Sequence, residues 1–303
     1  MFNSFMPPFI DCVFWQQLAK WHVDLPGGDC FSHVPHRRDL VESDVEDGDI
    51  IFVKTDVLDS FCRYKLPLIP TKFVLITGHS DLEPSQFSRQ TLEASPRLIM
   101  WHAVHVATES FKCRAIPLGV IDYHPQDKLD TREPGLGKRQ ARAWLPGCNL
   151  DVHPVRAECA DVSHPMLDNS AREHMDHSEY LDRMTRYEYV VSPLGNGNES
   201  SRTYEALLMR AIPIFVTDGT GRVPAAFRYF HPAIIVVQGV RGLTDFLDTL
   251  KNVPPPPLPD VDWEKMTSLL LQDSARERWI TAPEHCACVP AAACVPAAAR
   301  VPA

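Results

Sequence analysis

Residues 187–217 read YEYVVSPLGNGNESSRTYEALLMRAIPIFVT. Tyr187 to Ser192 is a β-rich run, and Pro193, Gly195 and Gly197 end it in a loop. Asn198 or Ser200 can cap a helix running through Arg202 to Arg210. Ala211-Ile212-Pro213 closes that helix, and Ile212 to Val216 supply the next strand. The result is one β–loop–α–β unit, the building block of an α/β fold. Its glycine-containing loop opens onto a helix N-terminus, where the helix dipole and free backbone N–H groups suit an anion. Arg202 and Glu205 are three residues apart and share a helix face. A cation beside the N-terminus suits a phosphate, and a carboxylate one turn on suits ribose hydroxyls. The same residues also describe a tight turn followed by an exposed pair worth about 0.2–0.5 kcal/mol.

The pattern extends upstream. DIIFVKTD, from Asp49, is a short apolar run that reads as a buried strand, and VLDSFCRY after it as a short helix. TKFVLITGHSD, SPRLIMWHAV and FKCRAIPLGVI read as three more strands, with SQFSRQTLEA as a helix between the first two. Residues 121–136 are rich in Asp, Pro and Gly and mark a boundary. A basic segment, GKRQARAWLPG, follows, and then a polar, helix-prone stretch over about 160–186. Downstream, AAFRYFHPAIIVV reads as a strand, LTDFLDTLKNV as a helix, PPPPLPD as a stiff spacer and WEKMTSLLLQDSARERWI as a last helix. The expected organisation is an N-terminal extension over 1–48, one α/β lobe over 49–125, a second over 126–280, and a low-complexity tail over 281–303.

The chain has 303 residues, with 30 Lys and Arg against 39 Asp and Glu, a formal charge of −9. No basic tail or stripe is present, which argues against a nucleic-acid partner. No run approaches the ~18 apolar residues of a membrane span. The first residues have no basic n-region, and Pro7-Pro8 interrupts their apolar run, so they read neither as a signal peptide nor as an anchor. Nine cysteines, an odd number spread thinly, do not form a disulfide scaffold. Cys286 and Cys288 are closely spaced but lie in the tail, and no CxxC pair accompanies them. Neither GxGxxG nor GxxxxGK[ST] occurs, which argues against dinucleotide and P-loop enzymes.

The string Ser-Pro-x-Gly-Asn-Gly, then Ser-Arg-Thr-Tyr-Glu-Ala-Leu-Leu, then Ala-Ile-Pro-Ile, resembles the C-terminal half of exostosin-like glycosyltransferases. The preceding EYLDRMTRYEYVV fits as the helix and strand leading into that loop. KFVLITGHSD, RLIMWHAVHV and CRAIPLGVI are more weakly similar to the N-terminal half of related enzymes. The resemblance is strong over about thirty residues and weak over most of 49–250. It implies a GT-B fold of two Rossmann-like lobes with a cleft between them, the donor in the C-terminal lobe and the acceptor on the N-terminal side. Carried over by position, Arg202 would neutralise the donor diphosphate and Glu205 would bind ribose or sugar hydroxyls. Ser192, Gly195, Asn196 and Gly197 would form the loop beside the phosphates. The family's helix usually ends in a small residue, often Gly, where this chain has Arg210.

The implied activity is transfer of a sugar from a nucleotide-sugar co-substrate to a glycan, glycoprotein or other hydroxyl acceptor. Inversion without a metal or further cofactor is expected. Such a reaction needs a base for the acceptor hydroxyl and charge stabilisation of the departing diphosphate. Asp81, after the KFVLIT strand, is the first candidate base and His79 the alternative, although Ser80 or Asp81 would equally serve as a helix cap. Lys138, Arg139 and Arg142 are further cations for the leaving group, or simply a solvated basic face. Asp260-Val-Asp262 and Asp47-Gly-Asp49 stand in the wrong context for a metal–diphosphate site. His174, Asp176 and His177 read as surface residues rather than ligands. The alternative is a non-catalytic relative that binds a sugar nucleotide or glycan, which Arg210 and the tail favour. The resemblance points to the Golgi or secretory pathway, and the lack of a leader or anchor signal points to the cytoplasm.

Overall fold

The computed structural model describes residues 12–25, 37–120, 140–230 and 233–251. Residues 121–136, read as a domain boundary, lie outside this set, as do the proline-rich spacer, the last helix and the tail. So do Lys138, Arg139 and Asp260-Val-Asp262.

Two five-stranded sheets form the molecule, each entirely parallel. The first contains β1 (Trp21–Val23), β2 (Asp49–Lys54), β3 (Phe73–Gly78), β4 (Leu98–Ala103) and β5 (Cys113–Ala115), side by side in chain order. The second contains β6 (Gln140–Leu145), β7 (Leu167–Asn169), β8 (Tyr187–Pro193), β9 (Ile212–Thr217) and β10 (Ile235–Gln238), in the order β7-β6-β8-β9-β10. The chain passes from one sheet to the other between Ala115 and Gln140. The expected α/β fold with two Rossmann-like lobes therefore holds at this level.

Three features depart from the sequence reading. Trp21–Val23 pairs with Ile51–Val53, so the first sheet begins inside the segment read as an extension. Part of the basic segment is strand β6, in the middle of the second sheet, and β7 interrupts the stretch read as helical. β6 carries Gln140 and Arg142 in its first half and β7 is only three residues, Leu-Asp-Asn, so neither shows the apolar run that marks a buried strand. AAFRYF forms 3₁₀ turns rather than strand, and only Ile235–Gln238 of that segment pairs.

Period-two alternation sends each strand's side chains to two faces. In the first sheet, Ile51, Val53, Leu75 and Trp101 pack on the helical turns of 55–68 and on α2 (Gln86–Ala94). In the second, Leu145, Val191, Ile214 and Val216 pack with α3 (Pro154–Ala160) and α6 (Gly239–Thr249). The opposite faces share one core. Phe52 and Ile76 of the first sheet join Trp144, Val190 and Phe215 of the second, together with α1 (Cys12–Gln17), α4 (His177–Met184) and α5 (Ser201–Leu208). That shared core fixes how the lobes face each other.

The end of α5 accounts for Arg210. The Ala211 N–H reaches the Ala206 carbonyl at 2.8 Å and the Arg210 N–H reaches Leu207 at 3.0 Å, the two bonds of a Schellman cap. Arg210 has φ 59°, the left-handed conformation that glycine adopts without a Cβ penalty. Arg210→Gly should therefore raise stability by about 1 kcal/mol, read as a higher urea midpoint with unchanged slope. A lower midpoint would show that the Arg210 side chain outweighs the backbone strain.

Candidate active-site cleft

The second sheet has the strand order of a doubly wound fold, with its direction reversing between β6 and β8. Ligands of such sheets bind outside the carboxyl ends of the strands at that switch point. Arg202, on α5, spans it: its Nη2 donates to the Gly147 carbonyl just beyond β6 at 2.9 Å. A cavity of about 280 Å³ opens alongside, where the carboxyl ends of both sheets converge. Asp81, Leu82 and Glu83 line it from the loop after β3, and Leu194 to Asn198 from the loop after β8. His153, Asp218 and Arg222 complete much of the wall.

The cleft thus brings together Asp81, Gly195, Asn196 and Gly197, four of the residues singled out in the sequence. Asn196 Nδ2 donates to Asp81 Oδ2 at 3.1 Å across the cleft. Asp81 is exposed and does not cap α2; Ser85 does, accepting the Ser88 N–H at 3.0 Å. His79 lies outside the cavity wall. It has φ 52°, and its Nδ1 accepts from the Gln16 amide at 2.7 Å.

Ser192 and the Arg202/Glu205 pair stand behind the wall. Ser192 is fully buried, with its hydroxyl 2.8 Å from that of Thr203. Arg202 is 9% and Glu205 2% exposed, so the alternative of an exposed surface pair falls. Tyr180 donates to Glu205 Oε2 at 2.8 Å, and His177 Nε2 lies 3.5 Å from Oε1. Burial works against the charge on Arg202, yet Tyr180, Cys148 and Glu205 together hold its pKa above the ordinary arginine value. His177 is therefore no surface histidine, and Asp176 caps α4 by accepting the Glu179 N–H at 2.8 Å. Arg142 lies on β6, away from the cavity wall.

Three residues of the site carried no signal in the sequence. Arg156, on α3, donates to the Leu194 carbonyl at 3.0 Å and the Asn149 carbonyl at 3.3 Å. Its guanidinium tip lies so close to the loop that a Cβ on Gly195 would sit 2.9 Å from it. Burial, then the charge of Arg202, lowers its pKa from the ordinary value. His105, just after β4, and Glu199, just before α5, meet behind the loop, as described below. None of the three belongs to a local pattern; only the packing of the sheets assembles them.

The cleft carries acids and cations together. Asp81, Glu83 and Asp218 face Arg222 and His153, with Arg156 close behind Gly195. Arg222 Nη2 bridges to both oxygens of Glu83 at 2.9 Å, joining the lobes at the cleft mouth. Among the described residues, no group of three or more His, Cys, Asp or Glu could hold a metal ion, and no helix is long and apolar enough to cross a membrane. No protein-family model matches the chain, and no curated protein matches it.

Proposed function

We propose that the protein is a glycosyltransferase of GT-B type that moves a sugar from a nucleotide sugar to a hydroxyl acceptor. One observation carries the reading: the loop that resembles a donor loop and the candidate base Asp81 line the same cleft from opposite lobes. In this reading the diphosphate lies along Gly195–Gly197. Arg156 and Arg222 stabilise its charge as the bond to the sugar breaks. Asp81 takes the proton of the acceptor hydroxyl as that oxygen bonds to the anomeric carbon from the opposite face, which inverts it. Asn196 holds the Asp81 carboxylate in place. Arg202 and Glu205 act from behind, by holding the switch point.

The second reading is a non-catalytic protein that binds a glycan or a nucleotide sugar. Its support is the burial of Arg202 and Glu205 in an internal network rather than at the cavity wall.

Thermal-shift titration of the full chain against a panel of nucleotides and nucleotide sugars, with and without EDTA, tests both. A bound ligand raises the melting temperature as its excess grows. Binding weakened by Arg222→Ala is expected. With a donor in hand, Asp81→Asn should leave its affinity within about twofold and lower turnover by about 10²–10⁴-fold. Unchanged turnover would remove Asp81 from the mechanism. Donor binding without turnover on any hydroxyl acceptor favours the second reading, and no binding by a folded protein overturns the transferase and leaves a non-catalytic glycan binder, which the same titration against glycans tests.

A further inference from the structure

Three consecutive residues of the cleft loop grip one residue of the other lobe. Gly197 lies flat against the His105 imidazole: a Cβ there would sit 2.6–2.7 Å from three ring atoms. Asn198 Nδ2 donates to the His105 carbonyl at 2.9 Å. Glu199 Oε1 accepts the His105 N–H at 3.3 Å. The other Glu199 oxygen accepts the Leu118 N–H at 2.9 Å and the Tyr204 hydroxyl. Glu199 is 3% exposed, so this carboxyl group stands between the lobes, away from water. His105 has φ 60°, a conformation that only a well-determined surrounding holds in place.

We infer that Glu199 is a positioning residue, whose carboxyl group seats the Gly195–Asn198 loop on His105 and so sets the affinity of the cleft for an anionic ligand. The ligand half of this inference rests on the function proposed above; the seat itself does not. It also couples the seat to pH. Burial, outweighing the bonds from Leu118, Tyr204 and His105, raises the Glu199 pKa from 4.5 to about 7. Tyr204 on α5 meets Glu199 through its hydroxyl, and His105 of the first lobe meets it through its backbone N–H. Burial lowers His105 to about 4 and pushes Tyr204 well above the ordinary phenol value, so both stay neutral between pH 6 and 8.

The direction follows from linkage. A carboxyl group with a raised pKa holds its proton more tightly when seated than when released to water. The seat is thus strongest below the ordinary value and weakens as pH rises through 7. Between pH 6 and 8 the seating equilibrium should fall about tenfold and then level off.

Hydrogen exchange on the ligand-free full chain reads the seat directly. Protection of the His105 and Leu118 amides, corrected for intrinsic rate, should fall about tenfold from pH 6 to 8. Glu199→Gln, which stays neutral, should flatten that dependence. Strand amides such as Val190, which exchange through global unfolding, lose protection by the same linkage in the wild type, so the comparison with Glu199→Gln isolates the carboxyl group. A pH-independent wild type or an equal fall in Glu199→Gln would each overturn the seat. For the ligand half, the probes are UDP-glucose and GDP-mannose, whose diphosphate charge is constant over this range. Apparent affinity scales with the seated fraction, so in the wild type it should fall with pH as far as exchange shows that fraction to fall, at most about tenfold, and stay level in Glu199→Gln. A wild-type affinity that does not follow the seated fraction read by exchange would refute the coupling. Absence of binding beside that pattern would refute the proposed function and leave the seat standing.

Discussion

Gly197→Ala should destabilise the protein by about 3 kcal/mol, although it adds a single methyl group. The added carbon would lie 2.6–2.7 Å from Cε1, Nδ1 and Nε2 of His105, closer than any real contact. His105 cannot swing aside, because it is 1% exposed and its N–H and carbonyl are both held by the loop. Overpacking of this kind typically costs ~1–3 kcal/mol, and here it also pushes apart the bonds made by Asn198 and Glu199. Equilibrium urea unfolding measures the loss. The ring is the cause, so Gly197→Ala in a His105→Ala background should cost at least about 1 kcal/mol less than in the wild type. Equal costs in the two backgrounds would show that the ring is not what the methyl group meets.

The same residues show what was legible in the sequence and what was not. The run from Tyr187 to Thr217 identifies its own strand, loop, helix and strand, because each is specified by residues within a few positions of one another. It also places Gly195, Asn196 and Gly197 beside a ligand cleft, since a loop after a parallel strand lies at the sheet's carboxyl end. Asp81 is found by the same argument from KFVLIT. The local pattern cannot say which way α5 turns its side chains once α4 packs over it. Arg202 and Glu205 share a face as expected, yet that face looks into the protein, toward Tyr180 and Gly147. Glu199 and His105 were invisible for a related reason. Ninety-four positions separate them, and a buried carboxyl group accepting a backbone N–H from another lobe leaves no mark on either local sequence. Arg210 is the converse: the resemblance flagged it as out of place, and its positive φ supplies the reason.

Arg202→Ala should cost about 2–3 kcal/mol of stability in the complete absence of ligand. Arg202 holds the Gly147 carbonyl across the switch point and supplies the positive charge beside Glu205. Glu205 is 2% exposed in the wild type, and without Arg202 it keeps the Tyr180 hydroxyl and the His177 ring as neighbours. A buried carboxylate whose neighbouring positive charge is removed loses part of the field that offsets its desolvation, although Arg202 is not in direct contact with it. Combining Arg202→Met with Glu205→Leu removes both charges and should recover at least half of the loss. Urea unfolding of both variants makes the comparison, and Arg202→Ala within about 1 kcal/mol of the wild type would show that the network does not hold the lobe together. The distinction bears on function. Loss of nucleotide binding in Arg202→Ala follows equally from a missing phosphate contact and from a displaced β6–Gly147 loop. Arg222→Ala removes a cation from the cleft wall, where Arg222 is exposed, Glu83 half-buried, and the bridge is worth at most about 1 kcal/mol. A fall in affinity there, with stability kept, reports on the ligand's charge alone.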